Sequence, residues 1–142
     1  MAFDPNKKIN GTFGELWIDD YYMAEVLGLQ AKVNIDKEEV NQTGTLAKGY
    51  KITGLDGKGT VKLNKISSFF IEKLSESLKQ GKSPVCTIIS KLADPSSDGI
   101  ERIKLTGCTF DELTLADWEA KKLTEESYPF TFTGWETMET IK

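Results

Sequence analysis

Apolar and polar residues alternate with a period of two along most of the chain, the pattern of half-buried β-strands. Leu29, Ala31, Val33 and Ile35 fall on one side of residues 29–36, and Gln30, Lys32, Asn34 and Asp36 on the other. Val61 and Leu63 oppose Thr60, Lys62 and Asn64 in the same way, and Tyr128, Phe130 and Phe132 oppose Thr131 and Thr133. Further strand-like runs cover about 12–18, 21–27, 46–53, 85–92 and 100–108. Turn residues separate them at Asp19-Asp20, at Gly54-Leu55-Asp56-Gly57 and between Asp94 and Gly99. One stretch changes period. SSFFIEKLSESLKQG, residues 67–81, places Phe70, Ile71, Leu74 and Leu78 at helical spacing against Glu72, Ser75, Glu76 and Lys79. Ser67 or Ser68 suits the N-cap, and Gly81 with Lys79 and Lys82 suits the C-terminus. The pattern predicts a mainly β chain with one covering helix at about 67–80, organised as a single domain over 1–142. It contains no internal repeat, low-complexity tract or linker.

Bulk properties narrow the function more than the fold. A chain of 142 residues buries roughly 68–70% of its unfolded surface and needs no disulfide or metal to hold a core. Its net charge of −4 opposes general attraction to nucleic-acid backbones or anionic membranes. No stretch has the roughly 20 apolar residues of a membrane span, and the N-terminus lacks a signal-peptide core. The expectation is a cytoplasmic chain without a membrane anchor, in which Cys86 and Cys108 are buried thiols on separate strands.

Catalytic and metal-binding patterns fail on chemistry. The chain has no histidine, which removes Ser-His and Cys-His nucleophiles and the commonest zinc ligand. In GLDGKGTVK, Gly59 stands where a phosphate loop requires Ser or Thr, so the stretch reads as a β-turn. DPSSDG opens like a calcium loop, but Leu105 occupies the position of the closing glutamate. No cofactor is expected. TFDELTLADWEAKKL, residues 109–123, gathers Asp111, Glu112, Asp117 and Glu119 around Trp118. Paired carboxylates do acid–base work only with an apolar pocket that separates their pKa values. Here they continue into Lys121, Lys122, Glu125 and Glu126 as a solvated run, leaving a bland charged face or a protein contact anchored by the tryptophan. Phe13 and Trp17 add a second hint. They fall on one strand face with Glu15 and Asp19, which puts large aromatics on a side that should meet water. A β-barrel that binds a small ligand is the alternative reading, and it requires an apolar cavity with a few convergent polar groups.

Three long strings carry a resemblance. INGTFGELWIDDYYMAEVLGLQAKV, GTLAKGYKITGLDGKGTVKLNKISS and FDELTLADWEAKKLTEESYPFTFTGW are similar to the tail tube proteins of PBSX-type phage-like elements, over nearly the whole length from about Ile9 to Trp135. The resemblance implies a small β-sandwich or barrel of two packed antiparallel sheets with a flanking helix. It implies a subunit of hexameric rings, stacked into a hollow tube inside a contractile sheath, with baseplate and tail terminator proteins as further partners. Assembly would take place in the host bacterial cytoplasm, and no catalytic residue carries over. A channel-lining sheet needs a polar face, for which Gln30, Lys32, Asn34 and Asp36 and the set Thr60, Lys62 and Asn64 are candidates. DNA would pass such a lumen without sequence-specific binding. Asp111, Glu112, Asp117, Trp118, Glu119, Phe13 and Trp17 are the candidate contacts to neighbouring subunits or sheath.

Overall fold

The computed structural model describes residues 3–141. Eight strands form it: β1 (Gly14–Ile18), β2 (Tyr21–Tyr22), β3 (Val26–Val40), β4 (Gly49–Asn64), β5 (Cys86–Leu92), β6 (Glu101–Phe110), β7 (Glu125–Phe132) and β8 (Gly134–Glu139). One helix, α1 (Phe69–Lys79), lies between β4 and β5. All pairings are antiparallel and follow the path β2-β1-β5-β6-β7-β4-β3, with β8 paired to β6. The mainly β expectation with one helix holds. The two sheets are joined rather than separate, because β6 belongs to both.

The joint has a definite chemistry. One edge of β6 pairs with β8 from Arg102 to Thr106 and then with β7 at Thr109 and Phe110. Between these partners Gly107 adopts φ 64°, and the register on the β5 side slips between Cys86 and Ile88. An L side chain in that left-handed conformation costs about 1–2 kcal/mol, and here its Cβ would run into the Thr133 hydroxyl. Thr133 is the single residue between β7 and β8, and its N–H donates to the Thr106 carbonyl at 3.1 Å. Both strands therefore turn the same corner together.

Inward side chains of both halves meet in one hydrophobic cluster. It contains Leu16 and Ile18 of β1, Val61 and Leu63 of β4, Ile88 of β5, Leu105, Cys108 and Phe110 of β6, and Tyr128, Phe130 and Phe132 of β7. The Phe70 ring of α1 stacks on Tyr128 at 4.1 Å and meets Phe110 edge-on at 4.9 Å, arrangements that suit the quadrupoles of the rings. The rings of Phe130 and Phe132 lie over Gly59 and Gly57, their register partners in β4. A Cβ on Gly57 would come within 2.6 Å of the Phe132 ring. These glycines serve close approach, so the sequence expectation of a turn at 54–57 is corrected. Residues 54–57 lie inside β4, and the chain reverses at 41–48 instead.

Other boundaries move for local reasons. The run at 21–27 divides into β2 and the start of β3 around fully buried Met23. Asp19 and Asp20 form the expected turn, with φ of 47° and 70°, as a two-residue hairpin requires. Phe13 sits in a 3-10 turn before β1, not on the strand face with Trp17. Ser68 caps α1 without a side-chain hydrogen bond. At the other end Lys82 N–H donates to Ser77 and Gly81 N–H to Leu78, a Schellman closure. Phe70 and Leu74 are buried as the helical spacing implies, but Leu78, expected to pack on the sheet, is 41% exposed because it lies in the last turn beyond the core. Cys86 and Cys108, far apart in sequence, face each other across β5 and β6. Burial first, then the neighbouring thiol, pushes Cys86 up to about 12, and burial pushes Cys108 up to about 11.

The helix is tied to the β1–β2 turn by one carboxylate. Asp19 accepts from Lys73 Nζ and from the Thr87 N–H, each at 2.8 Å. Burial raises its carboxyl, but the Lys73 hydrogen bond and the Thr87 amide outweigh that and hold it below the ordinary 3.8.

Two predictions follow from this packing. Leu74→Ala lowers stability by roughly 2–5 kcal/mol in urea titration, while Leu78→Ala costs clearly less; equal losses would refute the placement. Because the Asp19 carboxyl is depressed on folding, its contribution is present above pH 3.8 and is lost as pH falls through its folded value. Asp19→Asn is therefore less stable than the parent at pH 7, and the gap narrows below about pH 4. A gap independent of pH would refute the ionic part of this tie.

Candidate functional site

The longest strands build the feature with least support from the rest of the molecule. β3 and β4 stay paired from Val26↔Leu63 to Val40↔Gly49, with a register shift at Asp36/Lys37. β7, however, accompanies β4 only from Gly57 to Asn64. Residues 34–40 and 49–56 thus form a two-stranded arm that leaves the sheet. The inward face continues along it with no core beneath. Ile35 and Leu55 are register partners and 51% and 57% exposed, and Ile52 and Tyr50 follow at 57% and 65%. An isolated two-stranded hairpin is marginally stable in water, and four large apolar side chains on one face of it call for a partner.

The polar face lies on the opposite side. Gln30, Lys32, Asn34 and Asp36 of β3 are all exposed. In β4 Thr60 is half-buried, and Lys62 and Asn64 are exposed. Gln30 pairs with Thr60, and Lys32 pairs with Lys58, so both strands present this face together. Lys58 is steadied by Asp56 at 3.6 Å, which relieves part of the repulsion between directly opposed lysines.

The acidic segment borders this same face. The loop 111–124 has no helix or strand. Its ends are pinned by the Asp111 N–H to Pro129 and by the Lys65 N–H to the Thr124 carbonyl, both at 2.9 Å. Leu113 packs against the core, whereas Leu115, Trp118 and Leu123 are 69%, 80% and 92% exposed. Asp111, Glu112, Asp117 and Glu119 are exposed as well. An open cleft of about 390 Å³ brings Lys62 together with Asp117, Trp118 and Glu119. A smaller one of about 240 Å³ brings Asp111 beside Gln30, Lys32, Asn34 and Thr60. Two sets of candidates that the sequence keeps separate are thus neighbours. Phe13 and Trp17 are not among them. Phe13 is exposed ahead of β1, and Trp17 is half-buried on the outside of the β1–β5 pair, its ring 5.3 Å from Tyr22.

Beneath the loop, the Tyr128 hydroxyl is buried without a hydrogen-bond partner among the described residues. Burial, and then the Glu126 carboxylate, pushes it up to about 12. Glu126 is itself buried and held by Lys65 at 3.5 Å. The acids of the loop have no such enclosure. Among the described residues no group of three or more metal-ligating side chains converges, and aromatic rings fill the interior where a ligand-binding barrel would keep a cavity.

The sequence profile of phage tail tube proteins matches residues 1–139. The chain belongs to the phage tail tube protein family. It is 34% identical to phage-like element PBSX protein XkdM of Bacillus subtilis strain 168, over 99% of this chain and 97% of that one. Its fold is also that of solved structures at much lower identity. A chain of the anti-feeding prophage cap structure (the tube-terminating cap) superposes with a TM-score of 0.74 at 10% identity, covering 99% of this chain and 95% of the other. A chain of the PVC sheath–tube complex, from an extracellular contractile injection system in its extended state, superposes at 0.72 and 8% identity, covering 93% and 92%. Those two likenesses speak for the fold alone. Sequence reasoning singled out the acidic loop and the polar face, which the structure makes neighbours. It missed the arm, because Gly54 and Gly57 resemble a turn; the long alternation from Val26 to Val40 was the signal that a long partner strand had to exist.

In the free subunit Trp118 should be the indole most accessible to the neutral quencher acrylamide. Trp118→Phe therefore lowers the quenchable fraction of tryptophan emission more than Trp135→Phe, whose residue is 48% exposed. The reverse order would show that the loop folds back onto the sheet.

Proposed function

We propose that the chain is a structural subunit that assembles with its own copies into stacked hexameric rings, forming the inner tube of a contractile phage tail or tail-like particle. Family membership supports the class of function. The observation that carries self-assembly is the arm, whose apolar face runs past the core and lies exposed in the single subunit. Covering Ile35, Tyr50, Ile52 and Leu55 gains hydrophobic free energy in proportion to the area removed from water. The same contact supports a hairpin that is weak alone.

In this reading the polar face of Gln30, Lys32, Asn34, Asp36, Thr60, Lys62 and Asn64 lines the lumen, where a hydrated wall suits passage. It serves equally a tail that passes DNA without sequence-specific contact and a headless particle. Trp17 and Phe13, away from this face, are candidates for sheath or for a neighbouring subunit. Sheath, baseplate and terminator proteins are the expected partners, a reading supported by the fold shared with tubes found in such assemblies. Assembly in a bacterial cytoplasm agrees with a chain whose described residues include no helix long and apolar enough to cross a membrane.

Ile52→Asp combined with Tyr50→Asp tests the arm. Both sites are exposed, so the subunit should fold with nearly the parental melting temperature. Rings and tubes seen by negative-stain microscopy should disappear. Normal tubes from this variant would refute the role given to the arm.

A further inference from the structure

The chain has two cysteines, and the fold places them side by side. Cys86 opens β5, Cys108 lies near the end of β6, and the two are register partners. Register partners in an antiparallel pair stand about 4.5–5.5 Å apart at Cα. That separation lies inside the range of roughly 4.4–6.8 Å that a disulfide spans. Partners of one register pair also project to the same face of the sheet, and here that face is the core. Both thiols are free, at 3% and 0% exposure. The Cys86 sulfur already leans across the ladder, 3.5 Å from the Cys108 carbonyl oxygen. The Cys108 sulfhydryl donates to the Leu105 carbonyl at 3.4 Å, and one rotation about its Cα–Cβ bond turns it away from there. The backbone at this point is irregular rather than a stiff ladder. The register slips between Cys86 and Ile88, and Gly107, next to Cys108, takes φ 64°.

We infer that Cys86 and Cys108 form a redox-sensitive staple, open while the subunit is made and closed to an intrachain disulfide by a low-molecular-weight disulfide such as oxidised glutathione. The Cys86 thiolate attacks one sulfur of the small disulfide and expels the other, which takes up a proton and leaves as a thiol. The Cys108 thiolate then attacks the Cys86 sulfur of that mixed disulfide and expels the second small thiol. The protein gives up two protons and two electrons, and the small disulfide receives them as two thiols. Cys86 reacts first because it retains some exposure beside exposed Val85, whereas Cys108 has none. Both steps are slow in the folded subunit. Burial holds Cys86 at about 12 and Cys108 at about 11, so few of these groups are thiolates at neutral pH, and the thiolate is the nucleophile. The pair therefore stays open in a reducing cytoplasm and closes on long exposure to oxidising surroundings. Closure ties β5 to β6 immediately beside the Gly107–Thr133 corner and rings the chain from residue 86 to 108, which restricts the unfolded state. The subunit is adjustable at its corner before the bond forms and fixed there afterwards. This chemistry belongs to the single subunit and does not depend on what it assembles into.

Oxidised glutathione tests the staple on the full-length folded subunit at about pH 9, where thiolate is more abundant than at neutral pH. Mass spectrometry should show a loss of about 2 Da, the two hydrogens given up. A digest should contain the Cys86 and Cys108 peptides joined. The oxidised subunit should keep the parental circular dichroism spectrum and melt at a higher temperature, and dithiothreitol should return it to the parental value. Thiols that stay open to alkylation after this treatment, while the urea-unfolded chain oxidises under the same conditions, overturn the inference. So does a product that stops at glutathione bound to one cysteine. A bridged subunit that melts below the reduced one overturns it as well, because the bond then forms only at the expense of the fold.

Discussion

The fold depends on a corner. Strand β6 must serve β8 along its first half and β7 along its second, and it does so only because Gly107 takes a left-handed conformation where Thr133 passes between β7 and β8. This bend brings the inward faces of both halves around one cluster, so that Leu105 and Phe110, on the same strand, reach different sheets yet share one core. Without it the eight strands would form an open ribbon with no enclosed interior.

From that corner the aromatic interior follows, and from the interior the exposed ends. Phe130 and Phe132 need space across the strand pair, which Gly57 and Gly59 provide. The β4 backbone thereby stays paired through a stretch that looks like a turn. It runs out past its β7 neighbour with β3 alongside it. The arm is thus a result of how the core is packed, and its exposed apolar stripe is the core face continued beyond the core.

Much of this was legible in the sequence. Period-two alternation located seven of the strands in whole or in part, and helical spacing at Phe70 and Leu74 located α1 within two residues at each end. The failures share a physical cause. Glycine signals both a turn and a close approach, and only the partner ring distinguishes them, so residues 54–57 were misplaced. Leu78 follows the helical stripe but overshoots the sheet it was expected to cover. The neighbourhood of the acidic loop and the polar strand face depends on the register Asn64↔Glu125 and Gln30↔Thr60. Pairing over such separations is written in no local pattern. The exposure of Trp118 was legible because the acids around it leave no apolar face for it to join.

At one margin of the strand path stands β3, with a full side of its backbone unpaired. Such a margin is a template for uncontrolled strand addition. Lys32, Asp36, Lys37, Glu38 and Glu39 stud it with hydrated charge, so two stray copies that meet edge to edge must strip water from both before a ladder can form. Unspecific strand addition at this margin therefore meets a desolvation barrier that the apolar stripe on the face of the arm does not impose.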